Sequence, residues 1–531
     1  MKRAFTFLSL VAIIATLTLT PALAMPPESG TDSNQNGAAD NPGRGDDLPH
    51  PLGEQQRALR QRALEAKLKG KAFGKTGEVA RGQYVELERE GEDSIWTVLG
   101  EFSDFTHNNI AEPDRSVDNT TLWRADFGRD HYLDLLFSEA PGSSSMRSFY
   151  IEQSSGRYAV NGDVTDWVSV PGTAASYDDD LGGGAVWQFL EDSLDGWYAM
   201  QMAAGVTPAE VDAYLGQFDV WDRYDWDGDG NFDEPDGYID HFQSVHAGEG
   251  EEAGGGALGS TAIWSHRWYA RFNLIGAAGP SPDYLLGGVQ IGDSSYWIGD
   301  YTIEPENGGV GVFAHEFAHD LGLPDLYNTA GGGAAAENST AFWTLMSSGS
   351  WLGAGAEDIG SRPGHMGAWE KFQLGWLNYE VGVADQSSEH KLGPAETNTR
   401  QAQGLFVILP DKEVLTTIGT PYAGQYFYYS GAGNNLDNLM YKSFNLPAGS
   451  SLTAQVNFDI ELDWDYAYVV VSTDGGATWE GVPTNFSTAT NPNGQNFGHG
   501  ITGNSGGWVA LTADLSAYTG DVLLGFRYWT D

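Results

Sequence analysis

GGVGVFAHEFAHDLGLPD, residues 308–325, decides how this chain is read. On a helix, residues four apart lie one above the other on one face, so His315 and His319 direct ring nitrogens at a single metal ion. Glu316, beside the first histidine, reaches the water that such an ion polarises. Gly322 lets the backbone leave the helix through a left-handed turn, and Pro324 prevents the helix from continuing. That reversal returns Asp325 toward the two imidazoles as a third ligand. Three protein ligands leave one corner of a tetrahedral zinc open, as in a catalytic site; a structural zinc is closed by a fourth protein ligand.

Further along, FWTLMSSGSW, residues 342–351, places Met346 in a turn-like context after the second histidine. An extended metzincin signature has a third histidine where Asp325 stands here, and metzincins set a methionine beneath the zinc as an apolar floor. Met346 is expected to be that floor. Upstream, DWDGDGNFDEPD, residues 225–236, carries oxygen ligands at loop positions 1, 3, 5, 9 and 12, with glycine at 6 for the sharp turn. This is the EF-hand-like calcium pattern. Asp225, Asp227, Asp229, Asp233 and Asp236 supply carboxylates and Asn231 a backbone carbonyl, with Asp236 replacing the longer bidentate glutamate at position 12.

The N-terminal part differs in charge from the rest. Residues 1–90 hold 12 Lys+Arg and 11 Asp+Glu, a net of +1, and the remaining 441 hold 15 and 62, a net of −47, out of 27 and 73 in the chain. Lys2 and Arg3 precede an uncharged run from Ala4 to Ala24 ending in Ala22-Leu23-Ala24, the three-part pattern of a secretory signal peptide cleaved after Ala24. Residues 26–47, PPESGTDSNQNGAADNPGRGDD, are too polar to order themselves and read as a linker. Residues 54–75 follow with strong helix formers, Leu59, Ala63 and Ala66 at helical spacing, and seven basic side chains against two acidic ones. This basic helix reads either as a solvated surface helix or as a propeptide drawn to the acidic body by charge complementarity.

From about Gln401 the pattern changes to short alternating runs such as SLTAQVNFDI and YAYVVVSTDG between Gly and Asn turns, which predicts an antiparallel β-sandwich. A single Asp-box-like stretch, residues 472–479, is expected to be a structural turn, because a propeller needs a periodic array. The final GFRYWTD breaks off inside a strand pattern, so this domain is expected to be truncated. The 531 residues include no cysteine, which excludes disulfides, thiolate metal sites and a cysteine nucleophile. A formal charge of −46 argues against broad contact with nucleic acid or anionic lipid. No run after the leader is long and apolar enough for a membrane span.

In order, DWDGDGNFDEPDGYIDHF, IWSHRW, GVFAHEFAHDLGLPDLY, LMSSGSW and GHMGAWEKFQLGW resemble the secreted metallopeptidases of the immune inhibitor A family, and DDLPHPLGEQQRALRQRALEAKL resembles that family's propeptide. The resemblance implies an α+β metzincin-like zinc peptidase domain with a C-terminal antiparallel β-sandwich domain. It implies a secreted, extracellular endopeptidase made as a zymogen, stabilised by Ca2+ and acting on protein or peptide substrates with Zn2+. The zinc ligands would be His315, His319 and Asp325, and Glu316 the catalytic base. The expected organisation is a signal peptide over 1–24, linker and propeptide over 25–91, catalytic domain over 92–400 and accessory β-domain over 401–531. The alternative is a secreted calcium-dependent binding or adhesion protein with an inactive protease fold, which would have no need of Glu316. No tyrosine stands two residues after Met346, so the group that stabilises the oxyanion is not marked; His266 and His365 are candidates, each also reading as a structural histidine.

Overall fold

The computed structural model describes residues 45–530 apart from 72, 81, 179–183, 273–278, 281–286, 330–337, 354–359, 434–435, 477 and 493–494. The expected leader and most of the expected linker lie outside the described residues. The end of that linker does not behave as one, however: residues 46–48 run beside Arg267 with backbone hydrogen bonds in both directions.

Helix α1 (Pro51–Leu68) follows, capped by the His50 side chain, which accepts from the Gly53 N–H. Its buried stripe is Leu59, Ala63 and Leu64, packed on Val85 and Leu87 and on Phe372 and Leu377 of the body. The helix is therefore docked chiefly by apolar burial; Arg60 donates to the Gln373 and Glu86 carbonyls, and Arg57, Lys67 and Lys69 form ion pairs at the margin. Two of those ion pairs stay within the N-terminal ninety residues: Arg57 meets Asp47 at 3.0 Å and Lys67 meets Glu88 at 2.7 Å. Lys69 reaches Asp411 of the body at 3.1 Å, but both groups are exposed. The hairpin of β1 (Thr76–Ala80) and β2 (Gln83–Glu86) leads from this helix into the body.

The body is built on β3 (Gly91–Glu101), β4 (Tyr158–Val164), the short β5 (Val168–Ser169), β6 (Phe242–His246), β7 (His266–Tyr269) and, after the small hairpin of β8 (Val289–Gln290) and β9 (Trp297–Ile298), β10 (Asp300–Pro305). The order across the sheet is β4-β3-β6-β10-β7, with β5 beside β3; all neighbours are parallel except β10 and β7. Side chains alternate across a strand, and the run Ile95-Trp96-Thr97-Val98-Leu99 is apolar at almost every position because both faces are covered. Trp96 and Val98 enter one cluster with α4 (Ala185–Ala203) and α5 (Pro208–Leu215). Ile95 and Leu99 enter the other with α2 (Arg129–Phe137), α3 (Met146–Gln153) and α6 (Val310–Asp320). Thr207 and Glu210 form the capping box at the start of α5 that their spacing predicts.

Helix α6 is buried at every position, which explains why its sequence is apolar all round apart from the motif residues. Gly311 permits the turn around Ser350 to press on it: a Cβ there would stand 1.9 Å from the Ser350 carbonyl oxygen. Past α7 (Ala368–Gln373), β11 (Tyr379–Val383) pairs in parallel with β12 (Gly404–Ile408).

The C-terminal part is sheet-rich, as the alternating sequence predicts. It comprises β13 (Asp437–Leu446), β14 (Ser451–Val456), β15 (Asp459–Ile460), β16 (Tyr466–Ser472), β17 (Glu480–Val482), β18 (Gly503–Asn504), β19 (Val509–Asp514) and β20 (Gly520–Trp529). An antiparallel sheet runs β13-β20-β16-β17, beside the pairs β14-β19 and β15-β18. Val469, Val471 and Val522 of the larger sheet share a core with Leu511 and Ala513 of β19. In the Asp-box-like stretch, Asp474 accepts from the backbone and hydroxyl of Thr478, at 3.0 and 2.6 Å, the bonding of a structural turn.

Candidate metal centre

The C-terminal end of α6 turns as its sequence requires. Gly322 adopts φ +95°, and the Leu323 N–H returns to the Ala318 carbonyl at 3.0 Å, closing the helix with a left-handed residue. This turn carries the Leu323 carbonyl onto His319 Nδ1 at 2.6 Å. His315 Nδ1 meets the Leu345 carbonyl at 2.8 Å, beside Met346. A carbonyl only accepts, so each Nδ1 carries a proton and each Nε2 is directed inward, where the two stand 3.0 Å apart. Carbonyl partners of this kind fix the tautomer and orientation of metal-binding histidines.

Asp325 closes on the same point. Its Oδ1 lies 3.5 Å from His315 Nε2 and 3.3 Å from His319 Nε2, is buried, and accepts no hydrogen bond. Burial raises a carboxyl pKa, but the adjacent imidazoles, His319 foremost, hold Asp325 well below the ordinary value. The histidines respond in kind. Burial lowers both, yet the Asp46 and Asp325 carboxylates outweigh it, leaving His315 pushed up to about 10 and His319 well above its ordinary value. The site is anionic in character and takes either protons or a cation. Two imidazole nitrogens with a buried, unpartnered carboxylate oxygen form the N/O donor set that zinc accepts.

Glu316 lines the same cleft with one carboxyl oxygen buried and without a partner. Burial and then the Asp46 carboxylate push it well above the ordinary carboxyl value. Met346 is fully buried in the cluster with Phe313, Ala314 and Phe317 of α6, under the helix that bears both histidines. At the helix's far end Asp320 is gripped by Arg223 at 2.8 Å and His241 at 2.5 Å, which fixes the end of α6 to the sheet.

Two residues of this centre lie within the family-like stretches of the sequence but are not assigned a site role there. Asp46 places Oδ1 3.0 Å from His319 Nε2 and 3.3 Å from His315 Nε2. Tyr327, two residues past Asp325, lines the cleft and hydrogen-bonds the Asp325 carboxylate. Neither histidine suggested for the oxyanion reaches the cleft. His266 is buried between the Trp264 carbonyl and the Tyr301 hydroxyl at 2.7 and 2.9 Å, and His365 lies half-exposed against Gln153 and Glu152.

The acidic loop is gathered only in part. Asp225, Asp227 and Asp229 bring carboxylate oxygens within 4.8 Å of one another. Asp233 and Asp236 are not in that group. Asp236 is one methylene shorter than the usual glutamate, and its oxygens serve Trp226 Nε1 at 3.2 Å and the Tyr238 N–H at 2.8 Å. The Asn231 side chain turns away to Glu234.

Among the described residues, no helix is long and apolar enough to cross a membrane. Comparison with known proteins gives a match to the immune inhibitor A peptidase M6 catalytic domain over residues 81–377 and to the immune inhibitor A-like MAM domain over residues 388–531. Immune inhibitor A of Bacillus thuringiensis subsp. alesti is 36% identical over 475 residues, which cover 83% of this chain and 63% of that protein. The pre-pro-metalloprotease PrtV of Vibrio cholerae serotype O1 (strain M66-2) is 32% identical over 499 residues, 90% of this chain and 51% of the relative. The chain thus spans less than two thirds of the length of either.

Proposed function

The chain belongs to the immune inhibitor A peptidase M6 family, and from that premise we propose that it is a secreted zinc-dependent endopeptidase acting on extracellular proteins. The observation that carries this reading is the convergence of His315 Nε2, His319 Nε2 and Asp325 Oδ1 within 3.0–3.5 Å, with both rings locked from behind by carbonyls. Those three residues hold the metal. A zinc ion there supplies a Lewis acid that polarises the scissile carbonyl and acidifies water. Glu316 takes the proton of the attacking water and delivers it to the leaving amine. Met346 sits as the apolar floor of a metzincin-like site. Tyr327 orients Asp325 by hydrogen bonding, as partners of metal ligands do.

The finer organisation follows the sequence reading. Residues 1–24 direct export, 25–91 form linker and propeptide, 92–400 the catalytic domain and 401–531 the accessory β-sandwich. The loop at Asp225, Asp227 and Asp229 binds calcium, with the remaining oxygens supplied by water or backbone. The test is to purify the chain after removal of the N-terminal segment, measure bound zinc, and digest a peptide library with and without 1,10-phenanthroline. Internal cuts that disappear with the chelator and return with added zinc support the reading; metal-free protein or chelator-resistant cutting refutes it.

A further inference from the structure

The metal centre has four corners, and the fourth belongs to the N-terminal segment. The two Nε2 atoms are 3.0 Å apart; Asp325 Oδ1 stands 3.5 and 3.3 Å from them and Asp46 Oδ1 3.3 and 3.0 Å. Donors bonded to a tetrahedral zinc at about 2.0–2.2 Å are separated from one another by about 3.3–3.6 Å. Each of these five spacings is the size of a zinc tetrahedron's edge or slightly shorter. Asp46 therefore stands where an open catalytic site would admit water.

Its placement is specified by backbone bonds. The Asp46 N–H donates to Asp325 Oδ2 at 3.2 Å, which ties the two carboxylates together in spite of their charge. The Arg267 N–H donates to the Asp46 carbonyl at 2.8 Å, and the Leu48 N–H to the Arg267 carbonyl at 2.9 Å. Arg267 belongs to β7, the free edge of the sheet, so residues 46–48 occupy the edge on which an extended polypeptide would pair. On either side of this short pairing the segment is pinned again. Asp47 meets Arg57 at 3.0 Å and Arg267 at 3.7 Å, and the buried His50, which caps α1 through Nδ1, places Nε2 2.9 Å from the Arg267 guanidinium. The apolar face of α1, beginning at Leu59 thirteen residues after Asp46, anchors the whole, which makes the local concentration of Asp46 at the metal high.

We propose that Asp46 is the fourth ligand of the metal in the unprocessed chain, closing the site until the segment that carries it is released. This rests on the reading of His315, His319 and Asp325 as zinc ligands. Closure exchanges the coordination of a catalytic site for that of a structural one, with one side chain both filling the water's position and barring the substrate's edge.

The test uses the full chain carrying Glu316→Gln, which prevents self-cleavage, alone and with Asp46→Ala or Asp46→Asn added. Zinc per chain and the dissociation constant of acetohydroxamate, a small chelating probe that needs an open coordination position, are measured for each. All three proteins should hold one zinc, and both Asp46 variants should bind the probe at least about tenfold more tightly than the parent. A melting curve checks the fold; should Asp46→Ala not fold, Asp46→Asn, which keeps the shape, decides. Equal probe affinity in zinc-loaded parent and variant overturns the assignment of Asp46 alone. Absence of zinc from the parent overturns the ligand reading beneath it, and this inference with it.

Discussion

The Asp46 N–H donates to Asp325 Oδ2 at 3.2 Å across 279 residues of sequence. Two carboxylates that face the same pair of imidazoles are thereby joined through a backbone amide, and the anionic pocket they create holds both histidines far above their ordinary pKa. A site that draws protons this strongly draws a divalent cation by the same field, since imidazole nitrogens exchange one for the other.

On the proposed reading Glu316 uses the metal. Replacing Glu316 by Gln preserves shape and the three zinc ligands but removes the base. Zinc content should be unchanged and kcat on a peptide substrate should fall at least about a hundredfold, the lower end of general acid-base contributions. Turnover near that of the parent would sink the assignment.

Tyr327 is placed to hold it. The hydroxyl hydrogen-bonds the Asp325 carboxylate, and burial followed by the charges of Asp46 and Asp325 raises its pKa, so it stays a donor at every working pH. Tyr327→Phe should weaken zinc affinity or activity by about 10- to 100-fold, the usual effect of losing such a partner. Competition with a zinc-chelating dye reads the affinity; an unaltered zinc constant together with unaltered kcat/KM would remove the role.

The sequence marks those parts of the centre that are local. His315, Glu316, His319, Gly322 and Asp325 lie within one helix and its turn, so periodicity and one left-handed glycine suffice to bring them together. Asp46 comes from a polar stretch with nothing to distinguish it from the aspartate beside it, and only the pairing of residues 46–48 with β7 selects it. The oxyanion candidates His266 and His365 fail for the same reason, because nothing in the local sequence tells a histidine of the cleft from one in the core, as His266 is, or one at the surface, as His365 is. In the acidic loop, positions 1, 3 and 5 gather through tight turns at Gly228 and Gly230, both at positive φ. Asp236 depends on reach, and there its short side chain finds Trp226 first. The basic run before the body suggests docking by charge, yet Leu59, Ala63 and Leu64 make the contact, since their partners Phe372 and Leu377 lie three hundred residues away.

His241 makes the stability of the body depend on pH. Burial alone would lower its pKa, but Asp320 at 2.5 Å and Asp93 at 3.3 Å push it up to about 9. The charged form is thus stabilised by folding, and that contribution is complete below the ordinary value near 6.5 and lost as pH rises through about 9. The full contribution, present below that window and lost across it, is about 3 kcal/mol. Urea unfolding should show stability falling from pH 7 to pH 9.5, and His241→Gln should flatten the slope in that window. An equal slope in the variant would assign the dependence elsewhere.

Calcium should act through Asp225, Asp227 and Asp229. Burial and its two neighbours raise the Asp225 pKa, a repulsion that a bound cation relieves. The melting temperature should rise with the logarithm of calcium concentration once sites begin to fill. Asp227→Asn should reduce the response, whereas Asp233→Asn should leave it intact because Asp233 is outside the group. The same melting temperature in strong chelator and in millimolar calcium would reject the site.

Release of the N-terminal segment should be nearly indifferent to salt. Charge steering alone would make a peptide of residues 45–90 inhibit the processed enzyme far better at low ionic strength, because exposed pairs are screened beyond about 10 Å at 0.1 M. The ion pairs Arg57–Asp47 and Lys67–Glu88 stay within that peptide, however, and Lys69–Asp411 is an exposed pair of the kind worth little. Arg60 donates to the Gln373 carbonyl, a neutral group. The pairs that do cross to the body, Arg89 with Asp93 and Asp47 with Arg267, are buried, as is Asp46 at the metal centre, and buried charges are screened little; the face of Leu59, Ala63 and Leu64 on Phe372 and Leu377 is not weakened by salt. The inhibition constant should therefore change by less than about threefold between 50 mM and 500 mM sodium chloride. Leu64→Ala in the peptide removes a buried side chain whose loss costs about 2–5 kcal/mol in a packed core, and should weaken inhibition by more than about tenfold at either salt level. A constant that rises steeply with salt and ignores Leu64→Ala would return the docking to electrostatics.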